Sequence, residues 1–213
     1  MRTKEIGFLV VVFALMVFSA CSKVEDEVII HPEDPNSTYY PMSIGSYWIY
    51  DEYVYDSIQP KPTGKTDSTY IASDTTIDGK KYFVYRSSSS PLWSLVMRDS
   101  SGYLVDNYGV IYFNSKAIGD TIFKKGNFNQ TGDTIYFQYR VMYKVGYVVD
   151  VPAGHFTKVK DARYTQYFPK AISTPKRRIS FNYYAKDVGL IYRTYLSFGK
   201  NYEVRLARYH IEP

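Results

Sequence analysis

Every second residue from Ile135 to Val149 is apolar or aromatic: Ile135, Phe137, Tyr139, Val141, Tyr143, Val145, Tyr147 and Val149. The residues between them include Gln138, Arg140 and Lys144, and Asp150 follows. A period of two sends successive side chains to opposite faces of an extended backbone, so this run predicts a strand with one packed face. The odd-numbered face is expected to be core. Most strands have ~3–10 residues, so a run this long is expected to coil, or to bend near Gly146.

The chain beyond residue 39 reads the same way throughout. The whole sequence has 24 Tyr and 12 Phe, and these aromatic residues, concentrated in this part, suit a pleated, half-buried surface. Tyr47 to Tyr55 predicts a strand with apolar residues on both faces. Thr66 to Ile77 and Lys81 to Ser87 flank Asp78-Gly79, which supplies the positive φ values of a type I′ hairpin. Leu95 to Arg98 and Tyr103 to Asp106 flank a turn at Asp99-Ser100-Ser101-Gly102. Ser180 to Ala185, Leu190 to Phe198 and Tyr202 to Ile211 close the chain, with turns at Asp187-Val188-Gly189 and Gly199-Lys200-Asn201. No stretch of ten residues repeats apolar positions at three and four, so no long helix is assigned. The expected fold is all-β: a single antiparallel, strongly curved meander, half-barrel or barrel-like, because curvature removes exposed edges.

The N-terminal segment has a different character. Arg2 and Lys4 precede an apolar run from Ile6 to Phe18, which is too short for a membrane span of ~20 residues. Val17-Phe18-Ser19-Ala20-Cys21 resembles the lipobox of bacterial lipoproteins, with Phe18 where Leu is usual. Residues 1–20 are then a signal peptide, and Cys21 is the lipidated residue that holds the protein to the membrane. Cys21 is also the only cysteine, so no internal disulfide forms and the core alone must hold the fold. Residues 21–38 read as the lipidated cysteine and a flexible, acidic tether, and residues 39–213 as the β domain. The net charge of +5 divides into +1 for the leader, −4 for the tether and +8 for the domain, a basic body on an acidic stalk.

The phrases YYPMSIGSYWIY (39–50), IDGKKYFVY (77–85), RDSSGYLV (98–105), VPAGHF (151–156) and YYAKDVGLIY (183–192) resemble those of outer-envelope lipoproteins of Bacteroides-type bacteria. The Ser-Lys-Val-Glu-Asp-Glu after Cys21 is similar to the acidic export signal of such proteins. The resemblance implies an outer-membrane, lipid-anchored protein displayed at the surface or facing the periplasm. It also implies an antiparallel β fold, with the open half-barrel of lipoprotein carriers as one form of it. It brings no activity and no catalytic residue, and His155 stands where such proteins often have Thr.

Motifs of catalysis are missing. Gly64-Lys65-Thr66 ends like a phosphate loop, but Gln59 stands where the first glycine is required. His31, His155 and His210 are far apart and have no paired spacing, so no metal site or cofactor is expected. There is no Gly-x-Ser-x-Gly elbow. Asp51 and Glu52 are adjacent on a strand and point to opposite faces. A non-catalytic protein is the expectation.

Two features carry more weight. The triplets that begin at Asp56, Asp67, Asp74, Asp120 and Asp133 resemble the O-glycosylation sequon of the same bacteria, with Ser57, Ser68, Thr75, Thr121 and Thr134 as acceptors. The plainer reading is an Asp that caps a turn before Thr and Ile begin a strand. The second feature is a basic stretch from residue 155 to 187, in which Lys176, Arg177 and Arg178 follow a loop between Pro169 and Pro175. With Tyr183 or Tyr184 nearby, these residues are candidate contacts to an anionic glycan, a lipid headgroup or an envelope protein. The plainer reading is a solvated loop. Nucleic acid is not an expected partner of an exported protein. The alternative function is a structural or assembly component of the outer envelope with no small ligand. A recess would favour binding, and an exposed flat sheet edge would favour assembly.

Replacing Cys21 by Ala should release the protein from the membrane fraction or leave it uncleaved. A processed, membrane-bound Cys21→Ala protein, seen on fractionation, would contradict the anchor.

Overall fold

The computed structural model describes residues 38–55, 59–90, 94–169 and 176–213. The leader, Cys21, the tether up to residue 37, and Ser57 lie outside the described residues. Among the described residues the only regular elements are strands. In chain order they are β1 (Tyr47–Tyr55), β2 (Pro60–Ile77), β3 (Lys80–Ser87), β4 (Ser94–Ser100), β5 (Tyr103–Asp106), β6 (Ile111–Asn114), β7 (Thr121–Phe128) and β8 (Thr134–Val145). They continue as β9 (Val149–Val151), β10 (Gly154–Phe156), β11 (Val159–Tyr167), β12 (Arg177–Ser180), β13 (Asn182–Ala185), β14 (Gly189–Ser197) and β15 (Lys200–His210).

Short turns make sequence neighbours into sheet neighbours. Asp78 and Gly79 both take positive φ, 50° and 71°, and join β2 to β3 as the expected I′ turn. Two turns are tighter than the sequence suggests. The β4–β5 ladder runs on to Ser100 opposite Tyr103, which leaves only Ser101-Gly102 in the turn. The β14–β15 ladder runs to Ser197 opposite Lys200, which leaves Phe198-Gly199.

One long-range pairing converts the meander into a barrel. β1 lies beside β15, the last strand, with Tyr47 opposite His210 and Val54 opposite Tyr202. The sheet order is β6-β5-β4-β3-β2-β1-β15-β14-β13-β11-β8-β7, all antiparallel, with β12 also on β11. The strands at the two ends of this order, β6 and β7, are consecutive in the chain and come back side by side. The result is a barrel closed except for one seam. The seam stays open because the connection after β6 leaves its neighbour. Gly119 N–H donates to the Met142 carbonyl at 2.7 Å, and Met142 N–H donates to the Asp120 carbonyl at 3.2 Å. The chain is thereby committed to β8 before it can pair with β6.

Side chains bridge the gap from the inner face. Arg140 of β8 donates to the Ile111 carbonyl, and Lys160 of β11 donates to the Ser115 carbonyl. The Arg140 guanidinium lies between two rings, 4.7 Å from Tyr112 and 5.4 Å from Tyr164. Burial pulls its pKa below the ordinary value, and the ring faces offset part of that cost.

The core has two centres. Phe113 is fully buried, with its ring 5.4 Å from Tyr39, 5.7 Å from Tyr40 and 4.6 Å from Tyr184. Met97, Leu104, Met142 and Ala162 complete this cluster. The chain enters it directly: Thr38 N–H donates to Asp187 Oδ1 at 3.0 Å, and Asp187 N–H donates to the Thr38 carbonyl at 2.6 Å. Trp48, Tyr50, Ile71, Ile191 and Leu206 lie in the second cluster. There Trp48 Nε1 donates to the Val188 carbonyl at 2.6 Å, and the Tyr50 hydroxyl donates to that of Leu190 at 2.8 Å. The β9–β10 hairpin adds Val149 and Val151, and Ala153 N–H donates to the Leu206 carbonyl at 2.9 Å.

These contacts correct the expected facing of β8. The strand is there, but it ends at Val145, before Gly146, rather than bending at that glycine. Its core face between 135 and 143 is the even one, however. Met142 sits opposite Ala162 and both are fully buried, whereas Ile135 is 49% and Tyr143 38% exposed. The physical reason is that this part of the barrel lining is polar. The Tyr164 hydroxyl donates to Gln138 Oε1 at 2.5 Å, and Arg140 serves the seam. Beyond this stretch Val145, Val149 and Val151 are buried where the β9–β10 hairpin packs, while Tyr147 between them stays exposed.

Met142→Ala should therefore cost ~2–5 kcal/mol of stability, while Ile135→Ala should cost about 0.5 kcal/mol or less. Urea unfolding midpoints test this, and equal costs would contradict the assigned faces.

The interior tyrosines give the domain an alkaline limit. Burial raises the hydroxyl pKa of Tyr50, Tyr85 and Tyr184, and burial followed by the nearby Asp106 carboxylate pushes Tyr112 up to about 12. In the unfolded chain they ionise near pH ~10. Above that pH the folded state holds more protons than the unfolded one, so stability falls as pH rises. This contribution is fully present below pH ~10 and is lost as pH climbs through the folded values. Tyrosinate absorbance should gain a step that coincides with loss of structure. A smooth titration of all 24 tyrosines, complete before unfolding, would contradict the burial.

Candidate functional site

The strand pairing decides which sequence candidates can act together, because directly paired residues share a face and adjacent ones do not. Lys176 is exposed just before β12. Arg177 stands opposite Tyr167, which stands opposite Phe137, so all three lie on the outer face. Arg178 lies on the opposite face, with its guanidinium 4.8 Å from the Phe168 ring. Its Nε is buried without a hydrogen-bond partner. Tyr183 is on the outer face, where its hydroxyl shares a 3.0 Å hydrogen bond with that of Tyr147 and its ring lies 5.1 Å from Tyr192. Tyr184 faces inward, buried against Phe113. The basic stretch is therefore not a single patch: Arg177 and Tyr183 share the outer face, and Arg178 and Tyr184 do not reach it.

Arg177 has different neighbours. Its Nη2 donates to the Tyr139 hydroxyl at 3.1 Å. Around this pair lies an outer recess of about 470 Å3, lined by Thr121, Lys124, Phe137, Tyr139, Tyr167 and Arg177. Ladder register explains the gathering. Gly126, Phe137, Tyr167 and Arg177 sit at one level across β7, β8, β11 and β12, and Lys124 pairs with Tyr139 one level away. Gly126 matters through what covers it: a Cβ there would come within 2.7 Å of the Phe128 ring. Phe128 thus folds back over the glycine and continues the row of rings. The row ends in Arg177, with Lys124 beside it. Phe128 is 58% and Tyr167 40% exposed, so ring faces are offered to solvent. Phe137, Tyr139 and Tyr167 belong to alternations visible in the sequence, but nothing in the sequence links Lys124 or Phe128 to Arg177 across three strand boundaries.

A second recess of about 570 Å3 lies on the other side of the seam. Its lining includes Arg98, Tyr103, Val105, Ile111, Asp120 and Thr121. Arg98 pairs with Val105, and Val105 with Ile111, on the face opposite Met97, Leu104 and Phe113, so this recess is also on the outside. The Arg98 guanidinium lies 5.6 Å from the Tyr82 ring. Its Nη1 makes one long bond, 3.4 Å, to the Asp99 carbonyl, and its Nε is buried without a partner.

Elsewhere on the outer face two buried carboxylates are fixed within the sheet. Asp161 accepts from Arg163 Nε at 2.9 Å and from Asn182 N–H at 3.1 Å, and burial raises its pKa. Glu203 accepts from the Tyr55 and Tyr192 hydroxyls at 2.9 and 2.7 Å and pairs with Arg205. The partner arginines stack on rings, Arg163 at 4.2 Å from Tyr143 and Arg205 at 4.5 Å from Tyr53. These acids hold the framework together.

The glycosylation candidates fall into different settings. Thr121 and Thr134 are the first residues of β7 and β8, which fits a turn-to-strand boundary. Ser68 and Thr75 lie inside β2, Ser68 half-buried and Thr75 exposed. His155 is exposed on β10, with Nδ1 2.5 Å from Asp150 Oδ1. Among the described residues no group of three His, Cys, Asp or Glu side chains gathers to hold a metal ion.

No protein-family model matches the chain. No curated protein matches it in sequence. Two solved structures are similar in fold. One, from Bacteroides fragilis, is described as a putative exported protein with a YmcC-like fold; it is 14% identical, with a TM-score of 0.51, over 82% of this chain and 99% of that one. The other, described as a putative lipoprotein from Parabacteroides distasonis, is 12% identical, with a TM-score of 0.47, over 82% and 99%. The first likeness shows a shared fold for the β domain.

Proposed function

We propose that this chain is a lipid-anchored protein of the outer envelope, held through Cys21, that binds an acidic glycan without chemically altering it. The observation that carries this reading is the outer row of Phe128, Phe137 and Tyr167 ending in Arg177, with Lys124 alongside. Flat rings stack against sugar faces, and cations beside them select for acid groups. A recess suits a stretch of glycan better than it suits the plane of a membrane. The lipoprotein leader and the fold shared with an exported protein support the compartment.

The assembly alternative needs an exposed, flat edge, and neither seam edge fits. β6 has four residues, and side chains occupy the carbonyls of Ile111 and Ser115. β7 carries Lys124 and Lys125 beside Gly126, charges of the kind that discourage strand addition.

Titration calorimetry of the intact protein with a galacturonate trisaccharide tests the reading. Lys124→Ser with Arg177→Ser should weaken binding about tenfold or more, equivalent to ~1.4 kcal/mol. Raising salt above 0.15 M should weaken wild-type binding as well, because screening there already shortens the range to ~8 Å. Wild-type affinity in the double variant, or indifference to salt, would overturn the proposal.

A further inference from the structure

The two outer recesses meet. Thr121 lines both, one on the β4–β6 side of the seam and the other on the β7–β12 side. We infer that they form one binding track across the seam, and that the ligand is a linear, repeatedly acidic glycan long enough to reach both Arg98 and Arg177. This inference rests on the proposed function and adds the length and charge spacing of the ligand.

Four observations support it. The first is extent. From β4 to β12 there are five paired strand-to-strand steps, each ~4.8 Å, plus the unpaired seam between β6 and β7, so the track is roughly 30 Å long over the curved surface. A trisaccharide would occupy one recess only. The second is charge at both ends. Arg98 and Arg177 stand at opposite ends of the track, and Lys124 joins Arg177 in the second recess. Asp120 is the one acid in the first lining, and the second has none. Acid groups are therefore drawn to the two ends and disfavoured beside Asp120. The third is the condition of Arg98. Among the described residues no carboxylate pairs with it, and its contacts are the Tyr82 ring and the Asp99 carbonyl. It contrasts with Arg163 and Arg205, each paired with a buried acid. A half-buried guanidinium without an anion retains the capacity to bind one. The fourth is rigidity. Arg140 and Lys160 hold the seam from the inner face, so the track has a fixed floor where the sheet itself is discontinuous.

The experiment compares a galacturonate trisaccharide with a decasaccharide, titrated into the intact protein and its variants. Wild type should bind the decasaccharide at least tenfold more tightly. Arg98→Ser should remove that advantage, weakening the decasaccharide at least tenfold more than it weakens the trisaccharide, which can still be held by Arg177. Arg98→Lys, which keeps the charge and serves as a folding control, should restore part of it. Lys124→Ser with Arg177→Ser should weaken both ligands. Equal wild-type affinity per site for the two lengths, or a decasaccharide advantage that survives Arg98→Ser, would overturn the track while leaving the single-recess reading in place. Failure of wild type to bind either ligand would overturn both.

Discussion

The structure depends on a failure to pair. Two strands that are consecutive in the chain, β6 and β7, end up adjacent at the close of the sheet without joining. A closed barrel would satisfy every backbone group by strand pairing and could fill its interior with hydrocarbon. Here two strand edges remain, and buried carbonyls must find donors elsewhere. Arg140 and Lys160 supply them. To do so, both must project into the barrel, so that part of the interior must accept cations. The tyrosines around them follow from this requirement: Tyr112 and Tyr164 flank Arg140, and Lys160 lies 4.6 Å from the Tyr39 ring. Tyrosine can bury a ring, face a cation and still place a hydroxyl, which Leu or Phe cannot do.

The same requirement reverses the usual division between inside and outside on β8. With the inner positions given to Gln138 and Arg140, the apolar members of the alternation, Phe137 and Tyr139, are left on the outer surface. Outer aromatic rings are covered in two ways. Around Asp161 and Glu203, arginines lie over them. Around Arg177 the rings remain partly open and form a recess. The seam latches and the outer recess are thus two results of one arrangement of side chains on one strand.

Local features of the fold were legible in the sequence, and features set by distant pairing were not. Tyr47–Tyr55 matches β1 residue for residue, and Asp78-Gly79 makes the turn its φ values permit. Each depends on neighbours in the chain. The alternation from Ile135 revealed a strand but could not say which side was core, because that depends on the 29-residue separation between Ile111 and Arg140. The same limit applies to the site. Arg177 was visible as a cation after a loop, and the strand period separates it from Arg178. Lys124, Phe128 and Arg98 carried no local mark. They join the outer recesses through ladder register and, for Phe128, through a glycine whose importance is the ring above it. The pairing of β1 with β15, which makes the barrel, joins residues from the two ends of the domain and leaves no signature in either segment alone.

The way the chain enters the domain has a mechanical consequence. Thr38 is tied to Asp187 by two backbone-mediated bonds, and the next two residues, Tyr39 and Tyr40, are packed around Phe113. Tension arriving along the polypeptide from its N-terminal side would meet those two bonds first and the tyrosine pair second. Extracting each ring would cost roughly 1.5–3 kcal/mol. The entrance therefore acts as a sacrificial link: under a pull, the domain would give up its aromatic plug before it gave up its barrel.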